Sequence, residues 1–434
     1  MLRSCAVAME AAMTSANSRC TRVSIHHPIG PRTPGRSRCG ILYPVMWFVA
    51  LTLSFASAGV LTQEESPWVK SPILIVVLDD VGWDLLERAE VPTIDALAKR
   101  SARFRQAWSY QTCTPARAAL LTGRYGFHTG IGTRLRKGKL NEPGLPLEEQ
   151  TLAEALPERV DAFGLWDVSA GREDPILQGF THSDGSLGAL GKDSLKNSYY
   201  NWRRYRDGER SREDGYATKI VTDAALASPA PVRYVAYHAI GEPWEAPPDS
   251  TAKTAKGCTL AMLKYLDGQL ARLLEKHEGY VFLLSDNATP ELIGQRRTGR
   301  LVEENLIVPF MVAGPGVVPG DRQDMVNVVD LLPTLLEMRG LEPGNCDGVS
   351  FLPALRGEPG RRTINYSEAF SPNGHPGNRG WALRDATHKI MIKRGVEGIW
   401  LYKMPGEIVA PRPLSDKDQA VVQRLLKLDP FEEL

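Results

Sequence analysis

The chain has 434 residues, 43% of them apolar and 24% charged, with 39 glycines and 31 prolines. That composition is ordinary for a globular protein and excludes a fully disordered chain, a coiled coil and a polytopic membrane protein. The net charge of +1 hides an asymmetry, because residues 1–58 carry six arginines against one glutamate and leave the remainder at −4. A mildly acidic body argues against a nucleic-acid binder, whose affinity comes from neutralising phosphates.

Residues 1–40 are rich in Arg, Ser and Pro without an apolar period. An apolar run then extends from Ile41 to Ala56 and ends in Ala56-Ser57-Ala58. A basic flank, a short apolar stretch and a small-residue end predict a secretory signal cleaved after Ala58, and so an exported protein, periplasmic, secreted or lumenal. The run falls short of the roughly 20 residues that cross a bilayer, so no stable membrane span is expected. The leader is long for such a signal. Met46 is therefore a second candidate start, and a disordered arm followed by a buried strand is the alternative reading. Beyond the leader three cysteines remain, Cys113, Cys258 and Cys346. An odd thiol in an exported protein is reactive or modified. With Cys113 set aside, Cys258 and Cys346 are left as a candidate pair.

Ile73–Leu78 is a continuous apolar run rich in β-branched residues, as in a strand of a parallel sheet covered on both faces. It stops at Asp79-Asp80. Pro92 opens a predicted helix running to about Phe104, and a second helix is expected after Pro115, ending at Gly123. Val232–Tyr237 reads as a strand, and Leu263, Leu266, Leu270 and Leu273 repeat at helical spacing. Tyr280–Leu284 is a further strand, ending at Asp286-Asn287. A strand near Ile307–Val312 and a helix over Val329–Met338 follow. Alternating strands and helices predict a doubly wound, mostly parallel α/β sheet, whose chemistry gathers at the carboxyl ends of its strands. After Pro353 the pattern changes: His388–Ile392 and Gly398–Tyr402 read as short strands and Leu414–Lys427 as a closing helix. The expected organisation is a leader over 1–58, a main domain over 67–355 and a small α+β subdomain over 356–434.

Asp79, Asp80, Asp286 and Asn287 offer only oxygen donors, the set preferred by Ca²⁺ and Mg²⁺ over Zn²⁺. Each pair alone is more often a helix cap or a solvated loop. Between them stands Cys113-Thr114-Pro115-Ala116-Arg117, then Leu121-Thr122-Gly123-Arg124. A cysteine just ahead of a helix start sits in a positive field that favours its thiolate, although an isolated cysteine is more often inert and buried.

The whole pattern resembles the type I sulfatase family. The resemblance rests on Ile73–Leu78 with Asp79-Asp80, the Cys-x-Pro-x-Arg core at 113–117 and the Leu-Thr-Gly-Arg tail. It extends to Ser285-Asp286-Asn287, Val308-Pro309 leading to Gly314-Pro315-Gly316, and Val329–Thr334, over about Ser71 to Tyr402. It implies an alkaline-phosphatase-like fold and hydrolysis of a sulfate ester, a sulfated carbohydrate being a plausible physiological substrate. It implies that a maturation enzyme oxidises Cys113 to formylglycine, whose hydrated aldehyde is the nucleophile, held in place by Arg117. Asp79, Asp80, Asp286 and Asn287 would then ligate one divalent cation, usually Ca²⁺, which would also take an oxygen from residue 113. Asp286 is in addition a candidate proton acceptor.

The same resemblance exposes departures, four of them at the expected sulfate-binding or proton-donating side chains. In Gly164-Leu165-Trp166-Asp167-Val168-Ser169, Leu165 stands where the family has a sulfate-binding Lys, and Asp167 where it has a His. In His238-Ala239-Ile240-Gly241-Glu242-Pro243, Gly241 replaces a second His. The second Lys falls on Thr298, while Glu304 and Asn305 stand for glycines and Ile307 for an Arg. Losing one donor aimed at developing charge costs about 10²–10³ in rate, and such groups act as a unit. Candidate substitutes are Arg296, Arg297, Arg300, His182, His238 and Asp167, each of which also reads as a packed or solvated side chain. Trp83 and Trp166 read as core in preference to substrate contacts. Asn287-Ala288-Thr289 fits a glycosylation triplet, but its expected place favours ligation. Three activities stay open: sulfate ester hydrolysis, a degenerate relative that binds metal and ligand without turnover, and a phosphoesterase using the same centre.

Overall fold

The structure, a computed structural model, describes residues 67–135, 143–169, 171–191, 198–294, 296, 301–393, 398–404, 407–408 and 415–431. The leader and its expected signal lie outside the described residues, as do Arg297, Thr298 and Arg300.

The first strand shows why the sheet is central. In β1 (Ile73–Leu78) every residue is buried, and alternate side chains enter two different cores. Ile73, Ile75 and Val77 pack on one face, and Leu74, Val76 and Leu78 on the other. The strands that follow are β2 (Ala102–Trp108), β3 (Val160–Leu165), β4 (His182–Ser186), β5 (Asn201–Arg206), β6 (Glu209–Asp214), β7 (Val232–Ala236), β8 (Tyr280–Ser285), β9 (Phe310–Ala313) and β10 (Gly320–Asn327). They form a ten-stranded sheet in the order β10-β2-β9-β8-β1-β7-β3-β4-β5-β6. Its centre is parallel, with β1 between β7 and β8 and β3 beside β7. β9 runs antiparallel to β2 and β8, and the β5–β6 hairpin closes one edge.

Helices cover both faces, as the α/β architecture requires. α1 (Pro92–Lys99), α2 (Cys113–Thr122), α3 (Ala217–Ala227), α4 (Ala255–Glu275), α5 (Leu331–Met338) and α6 (Asp416–Leu426) are the longer ones. Leu263, Leu266, Leu270 and Leu273 of α4 lie in one core with Val221 of α3, whereas Ala116, Ala119 and Leu120 of α2 join Leu331 and Leu335 of α5 in the other. Among the described residues no helix is long and apolar enough to cross a membrane. A second, antiparallel sheet is built from β11 (Asn365–Phe370), β12 (Arg379–Arg384), β13 (His388–Ile392), β14 (Ile399–Lys403) and β15 (Glu407–Ile408).

Three expectations need correction. The helix opened by Pro92 stops at Lys99, and the residues up to Trp108 form β2. The Ser101 hydroxyl bonds back to Leu97 O, and Phe104 then packs edge-on to Phe310 and Phe351, burial that a strand offers and a continued helix would not. The second helix starts at Cys113, two residues ahead of Pro115, whose missing N–H costs nothing in a first turn. Its end at Gly123, in the left-handed conformation with φ 66°, is as the sequence indicates. Cys258 and Cys346 do not pair. Both are free, their thiols directed to Ala252 O and Pro343 O within their own segments.

Candidate active site

β1 and β8 are adjacent and parallel, with Leu78 and Ser285 as register partners. The acidic pairs that follow them therefore leave the sheet side by side. The Asp80 N–H donates to Asp286 Oδ1 (3.2 Å), and the Asp286 N–H to Leu78 O (3.1 Å). Asp80 adopts φ 63°, a left-handed conformation that a short polar side chain tolerates better than most. Thr289 accepts the Gly82 N–H at 2.8 Å, and Ser285 Oγ accepts that of Val81 at 3.0 Å, so the two loops are sewn together behind the carboxylates.

The start of α2 meets this corner. The Cys113 thiol donates to Asp79 Oδ1 (3.3 Å) and faces Asn287 Oδ1 (3.5 Å). Donor atoms of Asp79, Cys113 and Asp286 lie within 4.8 Å of one another. One turn further, Arg117 is wholly buried. Its Nε and Nη2 both donate to Asp286 Oδ2 (3.0 and 2.8 Å), Nη2 also lies 3.5 Å from Asp79, and Nη1 donates to Leu165 O (2.9 Å). Arg117 thus fixes the carboxylates, and residue 113 is not among its hydrogen-bond partners.

Burial pushes the Asp79 carboxyl well above the usual range, and the neighbouring Asp286 and Asp80 carboxylates push it further. Asp80 is raised by burial, with Arg296 opposing. The Cys113 thiol is driven up by burial first, then by Asp79, Asp286 and Asp80. The thiolate expected from a helix start is therefore not favoured here, because burial and then three neighbouring carboxylates raise the thiol. An unmodified thiol in this pocket is a poor nucleophile.

The same crowding is what a cation would relieve. The Asp79 and Asp286 carboxylates, the Cys113 thiol and the Asn287 amide oxygen converge, while Asp80 reaches Asp286 through its N–H and turns its carboxylate to Arg296. The Asn287 Nδ2 has no hydrogen-bond partner, and among the described residues no imidazole belongs to the cluster. A Cβ on Gly241 would lie 2.1 Å from Asp79 Oδ2, so that carboxylate occupies the space a side chain at 241 would need. These donors fit a hard divalent ion.

Asp167 also comes to the corner. It is buried, adopts φ 55°, and accepts from Thr114 Oγ1 (3.0 Å), while burial raises its carboxyl and Arg134 and Arg117 oppose the rise. Arg296 pairs with Asp80 at 2.5 Å. His238 is buried with its Nε2 at 2.7 Å from Ser186 Oγ, beside the rings of Tyr199 and Trp202. His182 pairs with Asp207. Trp166 is buried against Phe180, and Trp83 stacks under the Arg105 guanidinium. Asn287 and Thr289 are wholly buried, which leaves no room for a glycan. One residue escaped the sequence reading. Arg134, in the loop after α2, faces Cys113, Asp167 and Asp79, whose negative charge when ionised raises its guanidinium. A lone arginine in a loop carries no periodic signal that would single it out.

The family model for sulfatases matches residues 71–341. The chain belongs to the sulfatase family. It is 27% identical over 384 residues to arylsulfatase A of Bos taurus, covering 74% of each chain. It is 26% identical over 372 residues to N-acetylgalactosamine-6-sulfatase of Canis lupus familiaris, covering 72% of this chain and 70% of that one. The crystal structure of Ps i-CgsB superposes with a TM-score of 0.69 at 22% identity, over 83% of this chain and 92% of that one. A phosphonate monoester hydrolase from Silicibacter pomeroyi gives 0.65 at 18%, over 84% and 96%. These similarities make the fold alkaline-phosphatase-like and support a sulfatase, an enzyme of sulfate ester hydrolysis.

Proposed function

We propose that this sulfatase hydrolyses a sulfate ester with an oxidised side chain at position 113 as its nucleophile. The observation that carries the reading is the convergence of Cys113, Asp79 and Asp286 within 4.8 Å on a buried, oxygen-rich corner. Asp79, Asp80, Asp286 and Asn287 would hold one divalent cation, Ca²⁺ by the family's habit. With that ion and an aldehyde-derived oxygen at 113 in place of the thiol, the corner gains charge neutralisation for the sulfuryl group and a competent nucleophile.

The protein's own side chains supply the rest. Arg117 keeps Asp79 and Asp286 in position by three contacts of 2.8–3.5 Å. Asp286 is assigned the role of accepting the proton of the attacking hydroxyl. Asp167, whose carboxyl burial raises, is assigned the role of giving a proton to the departing alcohol oxygen as the ester S–O bond breaks. Arg134 and Arg296 bring positive charge toward residue 113 where the family's Lys and His are absent. His238 would act from the Ser186 side, as a substrate contact of secondary weight.

Leu165 and Gly241 at clamp positions favour a second reading, binding without turnover. Export belongs to the proposal as well, resting on the Ile41–Ala58 sequence. Peptide mass spectrometry of residue 113, from protein made with a formylglycine-generating enzyme, separates the two readings. An aldehyde supports turnover, and an unaltered thiol contradicts it.

A further inference from the structure

Beside the carboxylate corner lies a cleft of about 610 Å³. Thr112, which caps α2, and Pro115, in its first turn, form part of its lining, so it opens next to the reacting position. Its walls come from segments far apart in sequence: the loop at Gly132-Thr133, the segment at Leu301 and Asn305, and the second sheet at Phe370, Met391 and Lys393. The arrangement is prebuilt. Asn373 Oδ1 accepts the N–H groups of both Gly132 and Thr133 at 3.0 Å. A Cβ on Gly132 would fall 2.3 Å from the Phe370 ring, so the ring lies flush against that backbone. The loop wall and the sheet wall are thus fastened to each other without a ligand.

Pro115, Leu301, Phe370 and Met391 give the cleft an apolar lining that fits the carbon face of a ring. Two cations stand in it. Arg296 ties the cleft to the corner through Asp80. Lys393, just past the end of β13, places its ammonium 5.5 Å from the Trp400 ring centroid, a contact that positions it without neutralising its charge. The acid in the lining, Glu368, is taken up by the Phe127 N–H, the Tyr366 hydroxyl and Arg379, and burial raises its carboxyl to about 8. Arg296 is matched by Asp80, and Lys393 is left facing a cleft with no ionised partner among its described lining residues.

We propose that this cleft receives the leaving alcohol, and that Lys393 recognises a second anionic group on it, a sulfate or a carboxylate, so that doubly charged sulfate esters are the preferred substrates. This rests on the sulfatase reading, because the cleft is placed by its closeness to residue 113.

Calorimetry on the cysteine form, which cannot consume the ligand, tests it apart from catalysis. The probes are a monosulfated sugar, the same sugar with a second sulfate, and the same sugar with a carboxylate. Wild-type protein should bind one of the two doubly charged sugars at least tenfold more tightly than the monosulfate, and the better of them names the group. Lys393→Ala should remove most of that preference, Lys393→Arg should keep it, and affinity for the monosulfate should change less than twofold. Equal affinity for all three sugars in the wild type, or a preference that survives Lys393→Ala, overturns the proposal. If the preference is present but the aldehyde form turns over no sulfate ester, the cleft assignment stands and the catalytic reading falls.

Discussion

A Cβ on Gly241 would stand 2.1 Å from Asp79 Oδ2, at the position where the family carries a histidine. The backbone at 241 lies directly against that carboxylate. Gly241→Ala is expected to push Asp79 aside and weaken Ca²⁺ binding about 10–100-fold, as outer-shell changes do, while the protein stays folded. Calorimetric titration with Ca²⁺ checks this, and an unchanged affinity contradicts the placing of Asp79 among the ligands. At this scale the sequence was legible where residues come as a spaced set. Asp79-Asp80, Cys113 through Arg117 and Asp286-Asn287 declare themselves because the chemistry fixes their neighbours. Arg134 and Lys393 do not, because a single cation in a loop or at a strand end looks like any solvated charge.

Parallel pairing of β1 with β8 is what turns two distant acidic dipeptides into one site, since register fixes Leu78 opposite Ser285. The apolar run of β1 predicted a buried parallel strand, whereas β2 was hidden in an expected helix because its strand character comes from tertiary partners. A second element-scale device is the helical turn Gly126–Thr129, held to β11 by Glu368. That carboxylate accepts the Phe127 N–H (2.7 Å) and the Tyr366 hydroxyl (3.2 Å), and burial lifts it to about 8. A carboxyl raised on folding keeps its proton in the native state and loses it in the unfolded chain. Stability should therefore fall as pH rises from about 4.5 toward 8, by at most roughly 5 kcal/mol. Glu368→Gln should lack this component. Melting temperatures of the two proteins should diverge in favour of the variant across that window, and parallel curves would contradict the assignment.

Over the whole molecule, the two sheets act as one support. Glu303 accepts from Trp108 of β2 (3.2 Å), Arg384 of β12 (3.1 Å) and Lys389 of β13 (2.9 Å), and Arg384 also donates to Gln106 of β2 (2.8 Å). These half-buried charge-assisted bonds fix the second sheet beside the first and so hold the wall that carries Lys393. The doubly wound class was readable from alternating apolar runs, but the joint between the sheets was not. It is made of isolated polar residues whose partners lie up to 278 positions away. The central claim, that the retained nucleophile and metal ligands suffice for sulfate ester hydrolysis despite the altered clamp, rests on that joint framework. Turnover of 4-nitrophenyl sulfate by aldehyde-bearing, Ca²⁺-loaded protein tests it most directly. The account predicts release of 4-nitrophenol that falls at least about 10³-fold in Asp286→Ala. Aldehyde-bearing, Ca²⁺-loaded protein that releases none, or releases as much from the Asp286→Ala variant, would contradict it.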